Sequence, residues 1–182
     1  MLLQKLRGLN YVNSIESDRK QYHVTYHSAM PTNLYGPGDS YHPEDSHVLP
    51  GLIRRFHEAK ETQAPEVTIW GTGKPLREFL HVEDLARAIY RLLIVDNPPD
   101  WINIGIGTDI TILELAELVK SAVGYTGKIV QDTTKPDGSP RKLLDVSKIR
   151  ALGWEAKIEL KEGIRRTYQD FLENHAKATL NC

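Results

Sequence analysis

Two histidines, His42 and His47, fall within YGPGDSYHPEDSHVLP, residues 35–50, together with three prolines, two glycines and three acids. Prolines fix the backbone, so an imidazole carried here is held stiffly, and its ordinary pKa of about 6.5 suits proton exchange near neutrality. A histidine at a helix start is also commonly a cap or a surface group. A second pattern, Gly105-Ile106-Gly107, follows a strand ending at Ile104, where a glycine-rich turn would let amides approach a pyrophosphate. Ile110 occupies the place of its third glycine, so the stretch reads as a plain strand-to-helix turn. No P-loop, Gly-x-Ser-x-Gly or His-Glu-x-x-His pattern occurs. From the residues alone, arginines near turns suggest at most a nucleotide-sugar or phosphate binder.

Those groups need elements to position them. Leu2, Leu6, Leu9, Val12 and Ile15 recur at helical spacing, and Tyr22–Met30 is β-rich up to Pro31. Ser46 is a candidate cap for a helix with Val48, Leu49, Leu52, Ile53 and Phe56 on one face and Pro50 in its first turn. Val67–Trp70 reads as a strand closed by Gly71-Thr72-Gly73, and Arg77–His81 as an extended piece. The next helix should turn Val82, Leu85, Ala86, Ile89, Leu92 and Leu93 inward, ending at Asn97-Pro98-Pro99. Trp101–Ile104 reads as a buried strand. Thr111-x-x-Glu114 is a capping box opening a helix over Ile112–Val123, with Gly124 as its stop. Lys128–Gln131 is a strand and Asp132–Arg141 a polar loop. A short Ser147-capped helix, a strand near Lys157–Leu160, and a helix bearing Ile164, Tyr168, Phe171 and Leu172 complete the pattern. Such alternation implies an α/β protein with at least one partly parallel sheet.

The 182 residues are 40% hydrophobic, enough for a real core. A formal charge of −1, from 23 basic and 24 acidic residues, gives no field to steer nucleic acid or anionic lipid, so neither is an expected partner. The one cysteine, Cys182, excludes an internal disulfide and a cysteine metal cluster, and no metal site is expected; a reducing, cytoplasmic setting follows. No apolar run nears the roughly 18 residues of a membrane span, so no membrane association is expected.

Met30–Asp39, Tyr41-His42-Pro43 and Ser46–Pro50 resemble the GDP-L-fucose synthases, 3,5-epimerase/4-reductases among the extended short-chain dehydrogenase/reductases. The likeness runs on through Leu52–Ala59, Trp70–Gly73, Leu76–Val82, Lys135–Leu143 and Gln169–Asn174. It implies an α/β fold made of the remnant of a doubly wound NAD(P)-binding sheet plus a C-terminal α/β substrate-binding lobe. Residues 1–36 would be the last part of the dinucleotide-binding domain and residues 37–182 mainly the substrate lobe, with residues 82–108 returning to the dinucleotide-binding sheet.

The implied reaction converts GDP-4-keto-6-deoxy-D-mannose to GDP-L-fucose by epimerisation at C3 and C5, then NADPH-dependent reduction at C4. His47 matches the acid of the epimerising pair, whose partner is a cysteine in a segment of the family not matched here. His47 also matches a cofactor-binding position. His42 is left as a structural donor within the loop. Lys5 matches the lysine that serves catalysis and holds the nicotinamide ribose, although Met1 stands in the place of that lysine's tyrosine partner. Pro31, Thr32, Asn33 and Leu34 match the loop bordering the nicotinamide. Arg55, Trp70, Arg77 and Asp137 match substrate-binding positions: the arginines suit the diphosphate, Trp70 can stack on the nucleotide or sugar, and Asp137 can accept from ribose or base. Cys182 is not assigned the missing cysteine's role.

The resemblance covers only the C-terminal half or slightly more of such enzymes, and the chain alone is expected to be inactive. A stand-alone nucleotide-sugar-binding module is the alternative. Strands that pair elsewhere in the family should leave an exposed apolar edge here, so self-association, as a homo-oligomer or through that edge, is expected.

Overall fold

The computed structural model describes residues 17–23 and 26–176. The helix expected over Leu2–Ile15, the lysine Lys5, and Cys182 lie outside the described residues. Residues 17–22 are helical, and among the described residues of the stretch Tyr22–Met30 the strand expected there is formed by Ser28–Met30, within β1, Ser28–Pro31.

The chain is built of short strands and amphipathic helices. Strand β1 pairs in parallel with β6, Trp101–Ile104, and β2, Asn33–Tyr35, pairs in parallel with β5, Phe79–His81. Strand β3, Glu66–Trp70, pairs in parallel with β8, Lys128–Asp132. Strand β4, Leu76–Arg77, lies between β7, Ile110–Thr111, which is antiparallel to it, and β9, Arg141–Lys142, which is parallel. The mixed α/β architecture with parallel pairing is the class expected from the sequence. Strand β6 returns beside β1 after helix α2, Val82–Ile94, in a connection of the β-helix-β kind that parallel pairing requires.

Two apolar cores form. The larger gathers Leu49, Leu52, Ile53 and Phe56 of α1, Val48–Glu61, with Leu115 and Val119 of α3, Ile112–Val123, and Ile164 and Phe171 of α5, Leu160–Asn174. Full burial of each such side chain contributes about 1.5–3 kcal/mol. The smaller core joins Leu80, Ala88, Leu92, Ile102 and Ile104 to Val146, Ile149 and Trp154 around α4, Ser147–Ala151. The capping box at Thr111 and the left-handed Gly124 stop, φ 73°, are both formed, so α3 has the bounds that its local signals specify.

Several elements differ from the expectation. The N-cap of α1 is His47 rather than Ser46, and no side chain caps it. Pro50 occupies the third helical position and has no N–H to offer a cap, although it does sit in the first turn as expected. Helix α4 starts after Val146, with the Ser147 amide donating to Asp145 Oδ1 at 2.9 Å, so Asp145 takes the part assigned to Ser147. No strand forms at Lys157–Leu160: the amides of Lys157 and Ile158 donate to the buried Asp84 carboxylate at 2.8 and 2.9 Å, and Leu160 opens α5. On α2, Ala88 and Leu92 are buried, whereas Ala86, Ile89 and Leu93 are exposed; Asp84 claims the inward side by taking those amides. Trp101 of the strand β6 is also exposed, while Ile102 and Ile104 are buried.

Candidate functional site

A hollow of about 550 Å³ opens between the start of α1, the end of β3, β4 and the 136–138 turn. His47 stands at its rim. The imidazole is exposed and caps no amide of α1. The stiff loop before it is anchored by Tyr41, whose hydroxyl donates to Thr167 O at 3.3 Å, and by the Gly38 amide, which donates to Asp170 Oδ2 at 3.1 Å. His42 lies outside the hollow. Its Nδ1 accepts the Glu44 amide at 3.3 Å, so it serves its loop as an acceptor instead of the donor expected.

Arg55 reaches from α1 to β3, with Nε donating to Gly51 O at 3.2 Å and Nη1 to Thr68 O at 2.9 Å. Burial, and next the neighbouring Arg54, push its pKa down from the ordinary arginine value. Arg77 Nη1 donates to Leu76 O and Ser139 O, both at 2.7 Å. A guanidinium has five N–H groups, so these carbonyls orient both arginines and leave donors for an anion. Trp70 ends β3 at 71% exposure, presenting its ring instead of joining the core, and Lys135 Nζ lies 5.8 Å from the ring centroid. Asp137 accepts the Thr72 amide at 2.8 Å and the Thr72 hydroxyl at 2.6 Å, which hold its carboxyl below the usual carboxylate range. The left-handed Gly71, φ 75°, makes this approach possible, because a Cβ there would collide with Asp137.

His47, Arg55, Trp70, Arg77, Asp137 and Asn33 therefore line one hollow. Pro31, Thr32 and Leu34 are not on its lining. The Asn33 Nδ2 and Thr32 Oγ1 groups donate to Glu78 O at 2.7 and 3.2 Å, and Leu34 packs against the smaller core. Sequence reasoning did not single out Arg54 and Glu44, which also line the hollow, although the Arg54-Arg55 tandem was a visible signal. Arg54 Nη1 pairs with Glu58 at 2.7 Å. The Gly105-Ile106-Gly107 turn is filled from within: the Gly107 amide donates to Glu78 Oε1 at 2.7 Å, and a Cβ at Gly105 would collide with that carboxylate. The turn offers no seat for a pyrophosphate.

Three arginines around an open hollow, with one exposed imidazole and one exposed indole, set charged donors and a flat ring side by side, a chemistry that suits a diphosphate joined to flat or hydroxylated groups. The model of the NAD dependent epimerase/dehydratase family matches residues 4–105, more than half of the chain. The chain belongs to this family. Among epimerase/dehydratase relatives it is 59% identical over 147 residues to GDP-L-fucose synthase 1 of Arabidopsis thaliana, covering 81% of this chain and 46% of that protein. A GDP-6-OMe-4-keto-L-xylo-heptose reductase from C. jejuni superposes with a TM-score of 0.82 at 35% identity, over 92% of this chain and 59% of that one. A GDP-L-fucose synthetase from Naegleria fowleri bound to NADP superposes with a TM-score of 0.74 at 32% identity, over 82% and 45%. The chain spans about half the length of the curated relatives that it matches. Among the described residues, no helix is long and apolar enough to cross a membrane.

Proposed function

We propose that this chain forms the sugar-nucleotide side of a GDP-L-fucose synthase, binding GDP-4-keto-6-deoxy-D-mannose in the hollow between α1 and β4. The observation that carries the reading is the convergence of Arg55, Arg77 and His47 on that one hollow. The guanidiniums take the diphosphate through charge-assisted hydrogen bonds, and Trp70 offers a face to the nucleotide or sugar. The C4 ketone acidifies the protons on C3 and C5. A base carried by a segment of the family not matched here takes one of those protons, and His47, in its protonated form, returns a proton to the resulting enolate carbon on the opposite face.

When bound, NADPH supplies the hydride for C4. The Gly105-Ile106-Gly107 turn gives it no pyrophosphate seat, since Glu78 fills it, and Pro31–Leu34 provide a loop for its nicotinamide end to border on. The relatives include both a GDP-L-fucose synthase and a GDP-heptose reductase, each named for a GDP sugar, which supports a GDP sugar as the ligand of this hollow.

Calorimetric titration of the chain with GDP and with UDP tests the proposal. GDP is expected to bind and UDP to bind more weakly. Arg55→Ala and Arg77→Ala should each weaken GDP binding by roughly 10- to 100-fold, as expected for loss of a charged hydrogen-bond donor. Equal affinity for the two nucleotides, or GDP binding indifferent to both arginines, overturns the reading.

A further inference from the structure

We propose that Glu78 is a positioning residue that sets Arg77 against the diphosphate and ties this arginine to the loop bordering the nicotinamide. Glu78 is fully buried, at 0% exposure, and lies outside the hollow's lining. Its carboxylate accepts the Gly107 amide at 2.7 Å and the Leu144 amide at 3.1 Å, one on each oxygen. Its carbonyl accepts the side chains of Asn33 at 2.7 Å and Thr32 at 3.2 Å. One residue thus joins four segments of the chain.

The need for it follows from the brevity of the sheet that carries Arg77. Strand β4 has two residues, as do its neighbours β7 and β9, so ladder bonds alone hold it weakly. Gly107 lies three residues before β7, and Leu144 lies two residues after β9. By gripping both, the carboxylate extends the pairing on either flank of β4 immediately beside Arg77. Glutamine at this position would put an N–H₂ donor opposite one of the two amide donors, so it keeps the shape and breaks one clasp.

This inference rests on the proposed GDP site. The test is a double-mutant cycle on the chain with GDP as the probe, combining Glu78→Gln with Arg77→Ala. Glu78→Gln is expected to weaken GDP binding about tenfold by itself, and by less than about twofold when Arg77 is already alanine, because it acts through that side chain. Full, multiplicative losses in the double variant, or an unchanged dissociation constant with a lowered melting temperature, assign Glu78 a merely structural role and overturn the inference. Hydrogen exchange on the unaltered chain keeps the test independent of variant folding: GDP should slow exchange at the Gly107 and Leu144 amides, neither of which lines the hollow. Unchanged exchange there with GDP bound overturns the inference alone. Failure of the unaltered chain to bind GDP overturns the proposed function, and this inference with it.

Discussion

Asp137 shows how a side chain marked by resemblance acquires a second task from its surroundings. Thr72 holds its carboxylate through an amide and a hydroxyl, so the loop carrying Asp137 is clasped across the turn after β3. Thr72→Val removes the hydroxyl and keeps the amide. We expect GDP binding to weaken about fivefold, measured by calorimetry, the loss of one hydrogen bond; an unchanged affinity means that Thr72 does not place this loop for the ligand. Glu78 and Thr72 were the residues least legible beforehand. A glutamate within a strand-like run reads as solvent-facing, and only its two amide partners, from segments tens of residues away, explain its burial. The site-bearing arginines, by contrast, stood out as chemistry-bearing types within a specific string of residues.

Elements whose signals lie within a few residues formed as read. The Thr111–Glu114 box is complete, with Thr111 Oγ1 accepting the Glu114 amide at 3.1 Å and Glu114 Oε2 accepting the Thr111 amide at 2.9 Å. Thr111→Ala should lower stability by about 1 kcal/mol in urea unfolding, without change in the slope; a loss below the error of extrapolation would show that packing, and not the cap, holds the start of α3. Where competing partners exist, local reading fails. Helix α1 starts one residue later than a Ser46 cap implies, with His47 at its N-cap and no side-chain cap, and α2 is capped by the His81 imidazole, which accepts the Glu83 amide at 3.3 Å. The expected strand at Lys157–Leu160 gave way to the Asp84 carboxylate, a partner no local window contains.

At the scale of the whole molecule, two buried histidines link folding to pH. His57, whose Nδ1 pairs with the Tyr168 hydroxyl at 3.0 Å, and His81 both have their pKa pushed below the ordinary 6.5, chiefly by burial. The unfolded chain therefore binds more protons just below 6.5 than the folded one does. Their contribution is fully present above that value and is lost as pH falls toward the folded pKa values. The melting temperature should hold steady between about pH 8 and 7 and fall below about pH 6.5, with a shallower fall in His57→Gln. A flat profile down to about pH 5.5 would contradict neutral burial of these rings. The exposed apolar side chains of α2, Ile89, Tyr90, Leu93 and Ile94, form a face of the kind that associates. We propose that copies of the chain pair through it: light scattering should show mass rising with concentration, and Leu93→Glu should restore the monomer. A constant monomer mass in the unaltered chain excludes this.

The sequence by itself determined the α/β class, the capped helix at Ile112–Val123 and the identity of the groups able to do chemistry, because helix caps, periodicity and motif strings are written in neighbouring residues. Only the tertiary structure decided that His47, Arg55, Trp70, Arg77 and Asp137 share a hollow, that Glu78 fills the glycine turn, and which side of α2 is covered. The physical reason is range: a buried polar group is placed by whichever distant donor or acceptor satisfies it, and that partner is known only once the chain has closed around both.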